Sequence, residues 1–575
     1  MGHFKKYILR YKKEIIVAPA VKLIETITEL IIPLLIAAMI DTGVVNHDKH
    51  LIFVYGAIVV ALNVVGIVCA IICQKLAAHA AVGIGKDARY DMYEHINTFS
   101  HAELDRFSIA SINNRMTHDV ERVQNAISLF IRLVMRAPFL LIGSVVMAIT
   151  IDWKLSLIFL AVAPLTVAVV FLIMKRTVPL YDTTQKNLDK VGSVTRENLE
   201  GTRVIRAFNK QANEEERFEV ATNNLKKSAI RVVLVSTLLN PMTNIIINLA
   251  IIVVLWVGGI QVNVGGLTTG QIIAFINYLT QISAALVSIA NLSISFIKAI
   301  NCGKRINEIL DTKPSIVEPE NIEINHKVDG VVSDYAVEYD KVTFTYQGAE
   351  KPAFSNLSIK VKKGETIGVI GGTGSGKSSV CYMIPRFYDV TSGVVKVDGV
   401  DVKDYSLKDL RTRIGIVPQR AVLFTGSLRD NMRWRKGDAT DEEIMRALEI
   451  AQAQEFVNEL DNGLDARVQA GGKNFSGGQR QRLTIARALV GNPEILIMDD
   501  SASALDFATD YKLRKAIKEN TDNMTVFIVS QRVNTIRNAD KIIVLDKGKI
   551  VGIGTHDELM ENCEVYKEIY TSQTK

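Results

Sequence analysis

With 575 residues, 48% hydrophobic and 22% charged, the chain is too apolar to be disordered and too charged to lie wholly inside a bilayer. Its net charge of +6 fits basic loops at a membrane surface better than a nucleic-acid site. Five cysteines without a C-x-x-C pair exclude a disulfide framework and give no support to a zinc or redox centre.

Six apolar runs fill the first 300 residues, near 17–40, 51–73, 130–150, 154–174, 237–259 and 271–297. Each is long enough to span a bilayer, which takes about 20 residues of helix. The first is not a signal peptide: it is too long, carries Lys22, Glu25 and Glu29, and lacks a small-residue cleavage site. Lys5, Lys6, Arg10, Lys12 and Lys13 precede it, and the links after the second and fourth runs are rich in Lys and Arg. The links 41–50, 151–153 and 260–270 are nearly free of basic residues. The positive-inside rule therefore puts the N-terminus and both long links in the cytoplasm.

The long links, 75–129 and 175–236, hold few glycines or prolines and mix their charges, as in Arg196-Glu-Asn-Leu-Glu200. They read as helices carried far out of the bilayer at about 1.5 Å per residue. Their length favours levers that touch a cytoplasmic domain over plain solvated hairpins. Inside the runs, Asn240, Asn244 and Asn248 share one face, and Asn277, Gln281, Ser288, Asn291 and Ser295 share another. Polar stripes avoid lipid, so each lines a cavity or a helix contact. Glu25 and Glu29 lie one turn apart, with Lys22 one turn before Glu25. They either meet cationic substrates or form a structural pair with the lysine.

Past residue 305 the pattern changes. Residues 1–305 form the transmembrane part, 306–334 a linker containing Pro314, Pro319 and Gly330, and 335–575 a water-soluble domain. In the last, β-branched runs at Thr366–Ile370, Ile414–Val417, Ile495–Met498 and Val526–Val529 alternate with helical patterns. That alternation predicts an α/β domain with a mainly parallel sheet.

The stretch Gly371, Gly372, Thr373, Gly374, Ser375, Gly376, Lys377, Ser378, Ser379 fits G-x-x-x-x-G-K-[ST], between a predicted strand and a predicted helix. Glycines let backbone N–H groups curl round phosphates, and the helix start adds a positive dipole end. Lys377 neutralises the outer phosphates and Ser378 ligates Mg²⁺. An apolar strand ending in Asp499-Asp500 supplies the metal-side carboxylate, Asp499. Between them, Ser476, Gly477, Gly478 and Gln479 open a second helix with exposed N–H groups, a second phosphate-binding surface.

The Ser476-Gly-Gly-Gln479 signature and the six-run architecture resemble the ATP-binding cassette (ABC) transporters, in particular an exporter-type half-transporter. The resemblance implies a six-helix transmembrane domain with long cytoplasmic extensions followed by an α/β P-loop ATPase domain, with ATP and Mg²⁺ as cofactors. It further implies that Tyr346 stacks on adenine, that Gln419 senses Mg²⁺, and that Ser503-Ala-Leu-Asp506 crosses to the opposite subunit. By the same resemblance, Phe99–Phe107 and Gly201–Phe208 are coupling tips, and the signature clamps the other subunit's ATP. Gln469 and Ala470 depart from the Glu-bearing loop the family carries before its signature.

Two further departures fall on catalytic positions. The family's general base is a Glu where this chain has Asp500, and its switch histidine falls at Gln531. Asp is one methylene short, and a misplacement of about 1 Å can cost about 100-fold in rate. The resemblance then implies a heterodimer: a second half with Glu and His at these positions and an altered signature. The expected activity is ATP-driven export of amphipathic compounds, multidrug efflux first and peptide or lipid export second, with hydrolysis mainly at the partner's site. A regulatory ATP-binding subunit is the alternative class. The expected partners are the second half, the bilayer and an amphipathic substrate, without nucleic acid. The lack of a presequence favours a bacterial plasma membrane.

Overall fold

The computed structural model describes residues 2–318, 333–501, 505–521 and 523–574. The chain divides into two units: residues 1–97 with 109–312, and residues 98–108 with 313–575. The first cytoplasmic turn thus belongs with the nucleotide-domain side, although the sequence reading put it in the transmembrane part. The sixth long helix runs to Asp311, past the expected linker start at 306, because no glycine or proline falls between Gly303 and Pro314.

Among the described residues, six helices are long and apolar enough to cross a membrane: Lys12–Val44, Lys49–Asn97, Ile109–Ile151, Trp153–Glu200, Gln211–Asn263 and Thr269–Asp311. Each exceeds the thickness of a bilayer, so the surplus forms the cytoplasmic extensions. Five of these helices, all but Lys49–Asn97, share a core that joins Leu30, Leu140, Phe159, Val254 and Phe275, with the Phe159 and Phe275 rings stacked at 6.0 Å. Close approach needs small residues. A Cβ on Gly143 would lie 2.4 Å from Leu30, and one on Gly270 would lie 2.4 Å from the Ala37 carbonyl. Asp41 fastens the outer ends of the first and sixth helices, accepting hydrogen bonds from Thr268 Oγ1 (2.5 Å) and Gly270 N (2.8 Å).

The second unit is built on a six-stranded sheet. Its strands run in the order Lys549–Gly554, Lys541–Asp546, Thr366–Gly371, Thr525–Val529, Ile495–Asp499, Ile414–Val417. The five from Lys541–Asp546 onward are parallel. Both faces are covered, which explains their unbroken apolar runs. In Ile495–Asp499, Ile495 and Ile497 pack into one core while Leu496 and Met498 pack into the other. Each such side chain contributes about 1.5–3 kcal/mol when fully buried. A separate four-stranded sheet, Tyr335–Phe344, Phe354–Lys362, Ser392–Val397 and Val400–Asp401, is antiparallel.

Candidate functional site

The central strand Thr366–Gly371 delivers the glycine loop, and the helix Lys377–Met383 leaves it. Gly374 and Gly376 take left-handed backbones (φ +78° and +94°), and a Cβ on Gly376 would meet the Ala353 carbonyl at 2.8 Å. Lys377 Nζ folds back over the loop and donates to the Gly371 and Gly372 carbonyls at 3.0 and 2.8 Å. Burial lowers the Lys377 pKa, against the pull of Asp499 and Asp500, so its ammonium has much to gain from an anion. Ser375 Oγ is buried without a hydrogen-bond partner. These features fit a polyphosphate. Thr373 and Gly372 are exposed, and Ser379 is buried with its hydroxyl 2.7 Å from Tyr346 Oη. Tyr346 is half-buried, its ring edge-on to Tyr388 at 5.3 Å.

Asp499, buried at the end of its strand, accepts from Ser378 Oγ (2.9 Å) and Tyr382 Oη (2.8 Å). Ser378 and Tyr382 stand four apart on the same helix, so both face one carboxylate. The sequence reading missed Tyr382, although the i, i+4 spacing from Ser378 was there to read. Ser378 and Asp499 form an oxygen pair of the kind that holds Mg²⁺ together with substrate phosphates. No cluster of three or more His, Cys, Asp or Glu that could hold a metal occurs among the described residues.

Asp500 turns the chain with a left-handed backbone (φ +46°), a conformation Asp tolerates better than most residues, and its N–H bonds the Val529 carbonyl at 2.9 Å. Burial raises its pKa, with Asp499 adding to the rise, while Gln419, Arg532 and Lys377 lower it. Gln419 is exposed and reaches Asp500 Oδ2 only at a weak 3.4 Å. Gln531 is exposed too, and its carbonyl accepts from Gln573 Nε2 at 2.6 Å.

The signature residues Ser476 and Gly477 are exposed at the start of the helix Gly477–Leu489. Ser476 and Gln479 make a reciprocal capping box: Ser476 N donates to Gln479 Oε1 (2.9 Å) and Gln479 N to Ser476 Oγ (3.2 Å). Gly478 is half-exposed, and a Cβ on Gly477 would meet nothing within 4 Å. The surface is therefore open to a ligand. Of the Ser503–Asp506 segment, Ser503 and Ala504 lie outside the described residues, while Asp506 caps the helix Phe507–Asn520.

In the transmembrane unit, Glu25 is buried against Lys22 Nζ at 2.6 and 2.7 Å. Glu29 accepts from Arg136 Nη2 at 3.0 and 3.1 Å. Each carboxylate thus has a cation of its own. Gln281 bridges Ser144 (3.2 Å) and the Glu29 carbonyl (3.3 Å), and Asn277 bonds back to the Ile273 carbonyl at 2.9 Å. Asn244 and Asn248 are exposed, on the face opposite buried Ile246, Ile247 and Ala250. The Asn291 side chain lies outside the described residues.

Residues 15–286 match the family described as ABC transporter transmembrane region, and residues 354–503 match ABC transporter. An ABC transporter ATP-binding protein of Mycobacterium tuberculosis, itself described as uncharacterized, is 36% identical over 99% of this chain and 97% of its own length. An ATP-dependent lipid A-core flippase of Vibrio vulnificus is 30% identical, covering 99% and 96%. The structure of a bacterial Atm1-family ABC exporter with ATP bound shares the fold at a TM-score of 0.79 and 23% identity, with 98% of each chain covered. The chain belongs to the ABC transporters of the exporter type: a multi-pass plasma-membrane protein whose cytoplasmic ATPase domain couples ATP hydrolysis to transport.

Proposed function

We propose that the chain is one half of a heterodimeric exporter whose own P-loop site binds ATP and hydrolyses it slowly, while its signature turn completes a faster site on the partner. One observation carries this reading. An intact cradle, with Lys377 over the loop and Ser378 beside Asp499, is joined to Asp500 and Gln531 at the positions that act on water and γ-phosphate. Bound Mg²⁺ would offset phosphate charge there. Lys377 would hold the outer phosphates and Ser378 and Asp499 the metal, while the Tyr382 hydroxyl fixes the Asp499 carboxylate. Asp500 has a side chain one methylene shorter than Glu, which leaves its carboxylate short of the attacking water; the rise in its pKa from burial favours base strength and does not offset that lost reach. Gln531 can donate a hydrogen bond to phosphate but cannot carry the charge of a protonated His. Ser476 and Gly477 present donors to the partner's nucleotide.

The proposed partner has Glu and His at these two positions and an altered signature. On one heterodimer preparation, Gly477→Asp should nearly abolish steady-state phosphate release, since loss of a preorganised donor costs about 10²–10³ in rate. Asp500→Asn should cost far less. Equal damage from both would make this chain's own site the catalytic one.

The transported compounds are amphipathic, with multidrug efflux the first reading. A lipid or other anionic amphiphile is the second, supported by a cavity of about 680 Å³ lined by Lys22, Lys75, Arg132 and Arg136. Glu25 and Glu29 are already paired, which weakens the case for cation recruitment. The lipid A-core flippases among the relatives point the same way.

A further inference from the structure

The chain passes between its two units three times, at residues 97–98, 108–109 and 312–313. One buried side chain of the second unit, Glu103, bonds residues that lie close in sequence to two of these passages, Ser100 and Ser315. It lies in the short helix His101–Phe107, at the cytoplasmic turn between the second and third long helices. Its Oε2 accepts from Ser100 N (2.8 Å) and Ser100 Oγ (2.7 Å), closing a capping box. Its Oε1, which an ordinary capping box leaves to water, accepts from Ser315 N at 3.2 Å. The Ser100 and Ser315 hydroxyls add a contact at 2.8 Å. Burial pushes the Glu103 pKa up, but the hydrogen bonds from Ser100 and Ser315 outweigh it and hold the group below its usual value, as a carboxylate.

The same junction is tied to the nucleotide loop. The helix that leaves the P-loop ends at Met383 and is followed by Arg386, Phe387 and Tyr388. The Phe387 ring stacks on His101 at 4.3 Å, and Tyr388 Oη donates to Asp105 Oδ2 at 2.8 Å. On the linker side, Leu407 N donates to Glu318 Oε1 at 3.1 Å. From the P-loop helix, contacts therefore run through Phe387 and Tyr388 to the turn, and through Glu103 to the linker that continues the sixth long helix.

We propose that Glu103 is a positioning residue for coupling: it locks the first cytoplasmic turn to the linker after the sixth helix, so nucleotide-driven movement reaches the second, third and sixth helices as one displacement. The proposal rests on the exporter reading. Two-state elements transmit a shift only when their parts move together. Without the Oε1 bond, the turn and the linker could follow the nucleotide domain independently.

Hydrogen exchange on the protein in lipid nanodiscs, with and without Mg·ATP, tests this. In the wild type, nucleotide should slow exchange at 371–378 and change it at the distant helix ends, 45–48 and 264–268. Glu103→Gln places an amide NH₂ group or a weaker acceptor against the Ser315 N–H. It should leave half-saturation by ATP at 371–378 within about 2-fold, while the response at 45–48 and 264–268 falls at least about 5-fold. Ser315→Ala, which spares the capping box, should give a smaller fall of the same kind, and covers the case in which Glu103→Gln does not fold. In the Glu103→Gln background, a disulfide between Ser100→Cys and Ser315→Cys should restore the distant response, and its reduction should remove it. A full distant response in Glu103→Gln, or equal loss of ATP binding and distant response, would overturn the proposal. A wild type protected at 371–378 with no change at the distant ends would overturn the exporter reading itself.

Discussion

Asp500 carries its charge at a cost, since burial and the neighbouring Asp499 both raise its pKa. The sign of the resulting linkage is definite. A carboxylate whose folded pKa exceeds its unfolded value of about 3.9 is destabilising once ionised, and neutral below both values. Asp500→Asn should therefore raise the melting temperature of the nucleotide-free protein at pH 7. That gain should shrink as the pH falls through the raised pKa and vanish below about 4; thermal unfolding of both proteins across pH 4–8 checks it. Tyr382→Phe removes one hydrogen bond to the Asp499 carboxylate. A hydrogen bond to a charged group is worth about 1.5–3 kcal/mol, so Mg·ATP affinity should fall by about tenfold or more in a fluorescent-nucleotide titration. Lys377, Ser378 and Asp499 were legible because phosphate chemistry fixes residue type and spacing together. Tyr382 was legible only as a position four residues after Ser378; that it meets Asp499, and that Glu103 meets Ser315, depends on which distant groups the fold brings together.

At the scale of elements, the long helices could be read from composition alone, since a bilayer demands apolar length and little else. The parallel strands were legible for a similar reason: a sheet buried on both faces needs continuous β-branched runs, as in Ile495–Asp499. The antiparallel sheet that begins at Tyr335 went unseen, because its order is set by pairing between strands far apart in sequence. Helix–helix fastening was equally hidden. Asp41 looks like an ordinary loop acid, yet it accepts from Thr268 and Gly270 at the start of the sixth helix. Loss of an N-terminal cap of this kind costs about 0.5–2 kcal/mol. Asp41→Ala should lower the melting temperature in detergent by a few degrees, with ATP binding unchanged. Gly270→Val should do more, because its side chain would collide with the Ala37 backbone.

For the molecule as a whole, the paired carboxylates and the basic cavity bear on what is carried. If anionic amphiphiles enter beside Arg132 and Lys75, ATPase activity should rise more in phosphatidylglycerol nanodiscs than in phosphatidylcholine ones. Arg132→Ala should reduce that difference by half or more, whereas an unchanged difference would favour the multidrug reading. The central claim concerns the division of labour between nucleotide sites, and one measurement reaches it most directly. It compares steady-state phosphate release by this chain purified alone with that of its Asp500→Glu/Gln531→His variant, at matched nucleotide occupancy. Two of the variant's copies would form complete sites, since the signature Ser476–Gln479 is intact. The account predicts a slow wild type and a variant faster by about 100-fold, the size of a misplaced-base effect. A wild type turning over at about 10 per second, an ordinary enzyme rate, with no gain from the double substitution, would contradict it.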